Sequence, residues 1–425
     1  MPPFLHRNLA ANAPRLRRWA WLLLAPGLIG AEVPPADWPQ FLGPERNGVY
    51  RGSPLAATWP TEGPRVVWQR ELGAGFSGPA ISANRLVIFH RVGDQATIDC
   101  CEADSGQSIW RAQYPTDYQD DFGFDNGPRA TPAIAAGHVI TYGAEGRLAG
   151  WSLADGKAEW SVNTAGTWGS RKGFFGRASS PLIEGGLVIV TVGGPSGHGV
   201  LAVDLARGEL RWRVSDDEAS YASPVAATIH GERVLLVLTR EALLALRPTD
   251  GKLIFRHPWR PKLSASVSAA TPLIKDDFIF ISACYGAGAA LLRYQASGPE
   301  VVWSNEESLS NHYATSVEHD GFLYGWHGRQ ESGCELRCVE LKTGRVRWRE
   351  AGLKAGSVSL AGTELIVLTE QGLLLKAPAT PDGFKPTARA QVLPFQVRAF
   401  PALARGRLFA RSANRLFCLD LAGAQ

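Results

Sequence analysis

The chain has 425 residues, of which 45% are hydrophobic and 20% charged, so it is long enough for a large core and too apolar to be disordered. The formal charge of +4 comes from arginines near the N-terminus, and no Lys- or Arg-rich run follows them. The composition therefore gives no reason to expect nucleic-acid binding. The 46 glycines and 28 prolines predict many turns and a β-rich fold.

Residues 1–31 have the features of an export signal. Arg15, Arg17 and Arg18 form a basic region, residues 19–29 form an apolar run, and the small residues at 30–31 suit cleavage. The run is too short to span a bilayer, which takes about 20 residues, and no later segment is apolar enough to do so. We therefore predict a signal peptide over 1–31, an N-terminal extension over 32–63, and a periplasmic or secreted protein. The alternative is an uncleaved anchor.

A turn recurs through the rest of the chain: an acidic or small polar residue, a glycine, and an aromatic residue four positions later. The spacing of its copies is roughly 40 to 50 residues, which suits the four short strands of one propeller blade. The turn glycines are Gly106, Gly156, Gly208, Gly251, Gly298, Gly344, Gly383 and Gly423, and the aromatic residues are Trp110, Trp160, Trp212, Phe255, Trp303 and Trp348.

The remainder of each unit is also consistent with a blade. A small-residue and proline start, such as A-T-P-A-I at 130–134, precedes an apolar run typical of a buried strand. We predict an all-β, eight-bladed β-propeller over 64–425. The eighth unit has no room for a last strand, so we expect a strand at about 65–72 to pair with the last blade and close the ring.

The pattern A-x-D-x-x-x-G-x-x-x-W resembles that of pyrroloquinoline-quinone-like (PQQ-like) repeat proteins. These include quinoprotein alcohol dehydrogenases and the scaffold lipoprotein of the outer-membrane protein assembly machine. The segment D-W-P-Q-F-L-G-P-E-R-N-G at 37–48 is similar to the opening of an exported bacterial branch of this family. The resemblance spans about 37–423 and implies the fold far more specifically than a function.

Polar residues that the repeat does not explain concentrate in loops that a propeller brings to one face. Divergent loops on a uniform scaffold are where binding residues tend to lie, although ordinary loop polarity would give a similar pattern. The candidate ligand-binding residues are Asp125, Arg129, Arg171, Lys172, Asp217, Glu218, Tyr221, Tyr285, Asn311, His312, Tyr313, His327, Arg329 and Glu331.

The resemblance also implies a possible PQQ cofactor with calcium, and Asp125, Asp217, Glu218, Asn311 and Glu331 are candidate oxygen donors. No contiguous motif assembles them, and no haem-attachment, zinc or hydrolase motif occurs. The neighbouring Cys100 and Cys101 resemble the vicinal disulfide of quinoprotein alcohol dehydrogenases. On a strand, however, they would point to opposite faces, so we expect two separate packing cysteines.

The favoured function is an exported, non-catalytic propeller that binds an envelope or extracellular protein, a peptide or a polysaccharide on its loop-rich face. The alternative is a PQQ-dependent oxidoreductase with a cofactor and cation site on the propeller axis.

Overall fold

A computed structural model describes residues 37–264 and 266–423, and the predicted signal peptide lies outside this part of the chain. Within the described residues the fold is almost entirely β, with 33 strands and one short helix. The strands form eight sheets. The eight-bladed β-propeller predicted from the repeats is confirmed.

The blades follow one another along the chain, and the strands of each blade are antiparallel, from the innermost to the outermost. Two strands, β1 (Val49–Tyr50) and β2 (Val66–Glu71), come first. Blade 1 comprises β3 (Ala80–Ser82), β4 (Arg85–Val92), β5 (Gln95–Glu102) and β6 (Ser108–Pro115). Blade 2 comprises β7 (Ala133–Ala135), β8 (His138–Tyr142), β9 (Arg147–Ser152) and β10 (Ala158–Asn163), and helix α1 (Thr164–Trp168) follows it. Blade 3 comprises β11 (Leu182–Glu184), β12 (Leu187–Thr191), β13 (Val200–Asp204) and β14 (Leu210–Val214).

The second half of the ring repeats this arrangement. Blade 4 comprises β15 (Val225–Ile229), β16 (Glu232–Leu238), β17 (Ala242–Leu246) and β18 (Leu253–Pro258). Blade 5 comprises β19 (Leu273–Lys275), β20 (Phe278–Ala283), β21 (Gly288–Arg293) and β22 (Glu300–Asn305). Blade 6 comprises β23 (Val317–His319), β24 (Phe322–His327), β25 (Glu335–Glu340) and β26 (Val346–Glu350). Blade 7 comprises β27 (Gly356–Ala361), β28 (Glu364–Thr369), β29 (Leu373–Pro378) and β30 (Ala388–Gln391). Blade 8 comprises β31 (Ala402–Ala404), β32 (Arg407–Arg411) and β33 (Arg415–Asp420), with β2 paired antiparallel to β33 as its outermost strand.

The hydrophobic core lies in layers between neighbouring blades. The middle strands are continuous apolar runs because both of their faces are covered, whereas the outermost strand β6 alternates between exposed and buried residues. Cys100 packs in the layer shared with blade 2, and Cys101 packs in the layer shared with blade 8. All six cysteines have free thiols.

A recurrent tryptophan joins six of the eight blades to the next blade. In blade 3, Nε1 of Trp212 donates to the carbonyl oxygen of Pro248 in blade 4 at 2.9 Å. The ring also covers the turn glycine of blade 4, because a Cβ atom on Gly251 would lie 2.5 Å from the indole. The aromatic residue of one unit and the glycine of the following unit therefore form one contact. Trp68, Trp110, Trp160, Trp303 and Trp348 donate in the same way to the neighbouring blade.

A belt of hydroxyl groups surrounds the axis at the start of the innermost strands. The amide of Thr131 donates to Oγ of Ser180 at 2.9 Å, and the amide of Ser180 donates to Oγ of Ser223 at 3.0 Å. In the same way, the amide of Ser223 donates to the hydroxyl of Thr271, and the amide of Thr271 donates to the hydroxyl of Thr315. These small hydroxyl residues, four of which directly precede a proline, thus each satisfy a backbone donor of the preceding blade where the blades crowd together.

The segment after residue 36 crosses the axis. Arg46 is 2% exposed, and its guanidinium donates to the carbonyl oxygens of Pro181 and Pro224 at 2.5 Å and of Ser180 at 3.3 Å. Burial lowers the pKa of Arg46 to about 9, so it stays charged at neutral pH. Strand β1 then adds to blade 7, parallel to β27. This segment therefore closes the channel from the face opposite the divergent loops.

Candidate functional site: an aromatic pocket on the axis

The divergent loops surround a pocket on the propeller axis with a volume of about 510 Å³, a size typical of ligand sites. Its lining is mainly aromatic and aliphatic, with a few charged groups. The aromatic lining residues are Phe41, Phe76, Phe122, Phe124, Phe174, Phe175, Phe400, Tyr221, Tyr285, Tyr313 and His312, and the charged ones are Arg129, Arg329, Arg398 and Glu331.

Four phenylalanines from two consecutive loops form one wall of the pocket. Phe122 and Phe124 lie between β6 and β7, and Phe174 and Phe175 lie after α1. The ring centroid of Phe175 is 5.2 Å from that of Phe122 and 6.0 Å from that of Phe124. Phe122 and Phe124 are each 55% exposed. Large apolar side chains left exposed together at a concave surface mark a binding site.

Two carboxylates hold the first of these loops in place. Asp120 accepts a hydrogen bond from the amide of Phe122 at 2.8 Å. Asp125 accepts from the amides of Gly127 at 2.6 Å and Gly75 at 3.0 Å. Aspartate side chains commonly accept hydrogen bonds from nearby backbone amides in turns in this way. Asp125 therefore shapes the phenylalanine loop and does not line the pocket.

The second loop depends on its glycines and on a tyrosine from the next blade. Gly173 and Gly176 have φ values of +67° and +72°, which favour glycine, and they flank the two phenylalanines. The hydroxyl of Tyr221 accepts a hydrogen bond from the amide of Phe175 at 2.9 Å. Tyr221 thus both lines the pocket and fixes the position of the phenylalanine wall.

The floor of the pocket is closed. Phe41 packs edge-on against Phe400, with ring centroids 5.4 Å apart, and both belong to the lining. The belt hydroxyl residues Thr131, Ser180 and Ser223 surround them, and the side chain of Arg46 fills the axis beyond. The pocket is therefore open at the loop face and blind at its base.

Arg129 is held by groups of its own loop. It forms an ion pair with buried Asp120 and donates to the backbone oxygens of Gly127 and Asp125. Its guanidinium also lies 5.7 Å from the ring centroid of Phe76. The charge of Arg129 is thus neutralised inside the protein, and its packing against aromatic faces is structural.

Arg398 is less fully satisfied. Its guanidinium lies 5.7 Å from the ring centroids of both Phe76 and Phe124. Nε is 3.0 Å from a carboxylate oxygen of Glu370, but the geometry does not form a hydrogen bond and this nitrogen is buried without one. The same oxygen instead accepts a hydrogen bond from the hydroxyl of Tyr313 at 2.7 Å. Burial, followed by the charge of Glu370, raises the pKa of Tyr313 well above its usual value.

A neutral hydrogen-bond network forms the opposite side of the pocket. The nitrogens of His312 lie 2.7 Å from the hydroxyl of Tyr285 and 2.5 Å from the amide oxygen of Gln330. Because the amide oxygen can only accept, Nδ1 of His312 donates to it and Nε2 accepts from Tyr285. Burial lowers the pKa of His312, which favours this neutral form. Arg329 lies 4.6 Å from the ring centroid of Tyr285 and is paired with Glu331.

The structure separates the sequence-predicted candidates into two groups. Arg129, Tyr221, Tyr285, His312, Tyr313, Arg329 and Glu331 line the axial pocket. Asp125, Arg171, Lys172, Asp217, Glu218, Asn311 and His327 are not part of its lining.

Two of the second group stabilise blade 6 from within. Asn311 is 1% exposed and donates to the carbonyl oxygen of Trp326 at 2.8 Å. His327 accepts a hydrogen bond from the amide of Ser310 at 3.1 Å, and burial, with the charge of Arg337 as a smaller cause, lowers its pKa to about 4. Both side chains are therefore hydrogen-bonded to nearby backbone groups.

The other members of the second group, apart from Asp125, form ion pairs with neighbouring loops and strands. Asp217 pairs with Arg256 at 3.2 Å, and Lys172 pairs with Asp121 at 2.5 Å. Glu218 bridges Arg240 at 3.0 Å and Arg171 at 3.6 Å.

Sequence reasoning missed the phenylalanines, Arg398 and Phe41. It searched for unexplained polar residues, whereas most of the lining is apolar. A usable signal was present: F-G-F at 122–124 and G-F-F-G at 173–176 place aromatic residues beside glycines, outside any strand pattern. Such residues have no core to enter and are therefore candidates for binding.

The described residues do not fit the calcium-and-quinone site that the resemblance implies. Within 37–264 and 266–423, no group of three or more His, Cys, Asp and Glu side chains is placed to hold a metal ion. Among the predicted oxygen donors, Asp125 accepts from backbone amides, Asn311 donates to a carbonyl oxygen, and Glu331 pairs with Arg329. Cys100 and Cys101 lie in separate core layers away from the pocket.

The sequence matches the model of the family described as outer membrane protein assembly factor BamB over residues 94–350, which is more than half of the chain. The chain belongs to this family. The part that matches the BamB family runs from the turn before β5 to the end of β26, and so includes most of the loops that line the pocket. A search of curated proteins found no match.

Solved structures share the propeller at low sequence identity. BamB from Moraxella catarrhalis is 18% identical with a TM-score of 0.63, over 85% of this chain and 98% of that one. Quinohemoprotein alcohol dehydrogenase from Comamonas testosteroni is 12% identical with a TM-score of 0.68, over 92% and 81%. The computationally designed protein Ika8 is 10% identical with a TM-score of 0.58, over 84% and 100%. Similarity at this level establishes the fold alone. In the described part of the chain, no helix is long and apolar enough to cross a membrane.

Proposed function

We propose that this protein is an exported, non-catalytic propeller of the cell envelope that binds a partner through the axial pocket of its loop-rich face. The observation that carries the proposal is the cluster of exposed apolar side chains at the mouth of that pocket. Phe122, Phe124 and Leu263 are each 55% exposed and lie together in its lining. A protein exposes apolar surface of this kind where a ligand or partner will cover it.

Among the ligand classes that the sequence analysis left open, a polypeptide suits the lining best. Seven phenylalanines, Leu263 and Val267 are in the lining, and they bury apolar side chains favourably. A polysaccharide needs many hydrogen-bonding groups around its stacking rings. Here the ionised groups are largely paired with one another, and His312 and Tyr285 bond to each other. Membership of a family described as an assembly factor supports a binding role.

A photo-crosslinking amino acid placed at Phe124 in the exported protein tests this proposal in intact cells. We expect a discrete adduct with an envelope protein that mass spectrometry identifies, because the side chain at this position points to the pocket mouth. The matched control is Leu210, which is also exposed but lies on the outermost strand of blade 3. The same adducts from both positions, or none from Phe124, would contradict the proposal.

The alternative function, a quinone-dependent oxidoreductase, has one observation in its favour: arginine side chains lie against aromatic rings in an axial pocket. Titration of the purified protein with the quinone and calcium, followed by calorimetry and a dye-linked alcohol oxidation assay, separates the two functions. We expect neither saturable binding nor oxidation. Micromolar binding accompanied by turnover would overturn the non-catalytic proposal.

A further inference from the structure

The pocket contains one cationic group that its own surroundings leave incompletely paired. Of the three arginines in the lining, Arg129 is bonded to Asp120 and to backbone oxygens, and Arg329 is bonded to Glu331. Arg398 is ion-paired with buried Glu370, with 3.0 Å between Nε and a carboxylate oxygen, but this nitrogen is buried without a hydrogen bond and the oxygen accepts from Tyr313 instead. An arginine with unused donors in an apolar pocket favours an anionic ligand group.

The surroundings of Arg398 indicate what else the ligand carries. Its guanidinium lies 5.7 Å from the ring centroids of Phe76 and Phe124, and Phe41 and Phe400 close the floor below. An anion that reaches Arg398 therefore arrives within an apolar environment. The ligand must join a carboxylate or similar anion to an aromatic or large aliphatic group.

The shape of the pocket selects between a chain end and a chain interior. Because the segment that contains Phe41 and Arg46 blocks the axis, a polypeptide cannot pass through the propeller. A blind pocket receives a terminus more readily than a continuous strand. Since the unsatisfied group in it is cationic, the terminus that it suits is the carboxylate end and not the amine end.

We infer that the axial pocket binds the C-terminal carboxylate of a polypeptide whose last residues are aromatic or large and aliphatic, with Arg398 as the anion-binding residue. This inference rests on the proposed function and names the class of ligand for it. Burial of the terminal side chain against the phenylalanine wall supplies apolar contact, and the arginine supplies selectivity for the free acid.

Calorimetric titration of the full mature protein with synthetic peptides tests the inference. The probe is Gly-Ser-Gly-Leu-Phe as the free acid, compared with the same peptide amidated at its C-terminus and with an amidated peptide that carries an internal glutamate. We expect the free acid to bind at least about tenfold more tightly than either, as the loss of one charge-assisted hydrogen bond predicts. Equal affinity for the free acid and the amide would overturn carboxylate recognition, and so would equal affinity for the internal glutamate peptide.

Two substitutions should move the affinity in opposite directions. Arg398→Gln should weaken free-acid binding about tenfold and leave binding of the amide unchanged. Glu370→Gln removes the carboxylate beside Arg398 and should strengthen free-acid binding. Arg345→Gln, at an exposed arginine in a blade-to-blade turn, is the matched control and should have no effect. Circular dichroism and thermal unfolding establish that each variant is folded.

The outcomes separate this inference from the proposed function. If a specific crosslink forms at Phe124 but the free acid shows no advantage over the amide, the pocket is a binding site and the carboxylate assignment is wrong. If folded protein binds neither peptide, the inference is overturned, whatever the crosslink shows. If the quinone binds in an Arg398-dependent manner and the free acid does not compete with it, the anion site is real but its ligand is not a peptide terminus, which overturns the inference.

Discussion

The two faces of the propeller differ in how their side chains are paired. The turn face carries the glycine turns before the outermost strands, and the loop face carries the divergent loops around the axial pocket. On the turn face, five of the eight turn glycines pack against the tryptophan of the neighbouring blade, as Gly251 does against Trp212. On the loop face, each connection differs in length and composition, and apolar side chains such as Phe122 and Leu263 remain exposed. One face has its contacts satisfied inside the protein, whereas the other leaves apolar surface available to a partner.

Blade 4 departs from this pattern in the aromatic residue itself. Phe255 replaces tryptophan in blade 4 and cannot donate a hydrogen bond, and it packs instead 5.8 Å from the ring centroid of Tyr294 in blade 5. The corresponding turn glycine, Gly298, has nothing within 4 Å of the position of a Cβ atom. At this pair of blades, both the tryptophan and the constraint on the glycine are absent. Gly383 also has no indole within 4 Å, although Trp348 is present in the preceding blade. The repeat is therefore a property of contacts between blades.

The largest expected effect comes from breaking such a contact. Trp212→Ala should lower the free energy of unfolding by about 3–5 kcal/mol, because it leaves a cavity between blades 3 and 4 and removes the partner of the Pro248 carbonyl oxygen. Trp212→Phe should cost less, about 1–3 kcal/mol, since an aromatic ring remains but the hydrogen bond and part of the indole volume are lost. Urea denaturation measures both values. A loss below about 1 kcal/mol for the alanine variant would show that the contact does not stabilise the ring.

A smaller effect is expected from the glycine side of the same contact. Gly251 and Gly231 both have positive φ values, +70° and +81°, so alanine is strained at either position by about 1–2 kcal/mol. Only at Gly251 would the new Cβ atom also meet the Trp212 indole, at 2.5 Å, whereas nothing lies within 4 Å at Gly231. Gly251→Ala should therefore destabilise the protein more than Gly231→Ala in the same denaturation experiment. Equal losses would mean that backbone strain alone explains the turn glycine.

The sequence was sufficient to predict the turn face, because contact between identical partners repeats in the sequence with a fixed period. The eight-bladed propeller and its family follow from that period. The position of the N-terminal segment could not be predicted in the same way. Arg46 binds the carbonyl oxygens of Pro181 and Pro224, which are distant in sequence, and backbone acceptors leave no residue pattern.

The loop face was predicted only in part for a related reason. Polar residues such as Arg129 and His312 stand out against an apolar repeat, and both line the pocket. Asp217 and Asn311 stand out equally, yet Asp217 pairs with Arg256 of β18, and Asn311 donates a buried hydrogen bond to a backbone oxygen of β24. Sequence polarity does not distinguish a group that faces a ligand from one that faces its own backbone. That distinction requires the positions of the partners.

The smallest expected effect on stability is at the pocket mouth, on the loop face of the propeller. Phe122→Ser and Phe124→Ser should each change the free energy of unfolding by less than about 0.5 kcal/mol, because both rings are 55% exposed and little apolar area is lost from the core. The same variants should abolish the crosslink formed from position 175, which lies in the same wall. The Trp212 variants give the reverse pattern, with reduced stability and, while they remain folded, an unchanged crosslink. Phenylalanine variants that unfold as readily as Trp212→Ala would show that these rings belong to the core of the protein, and the exposed wall would then be structural.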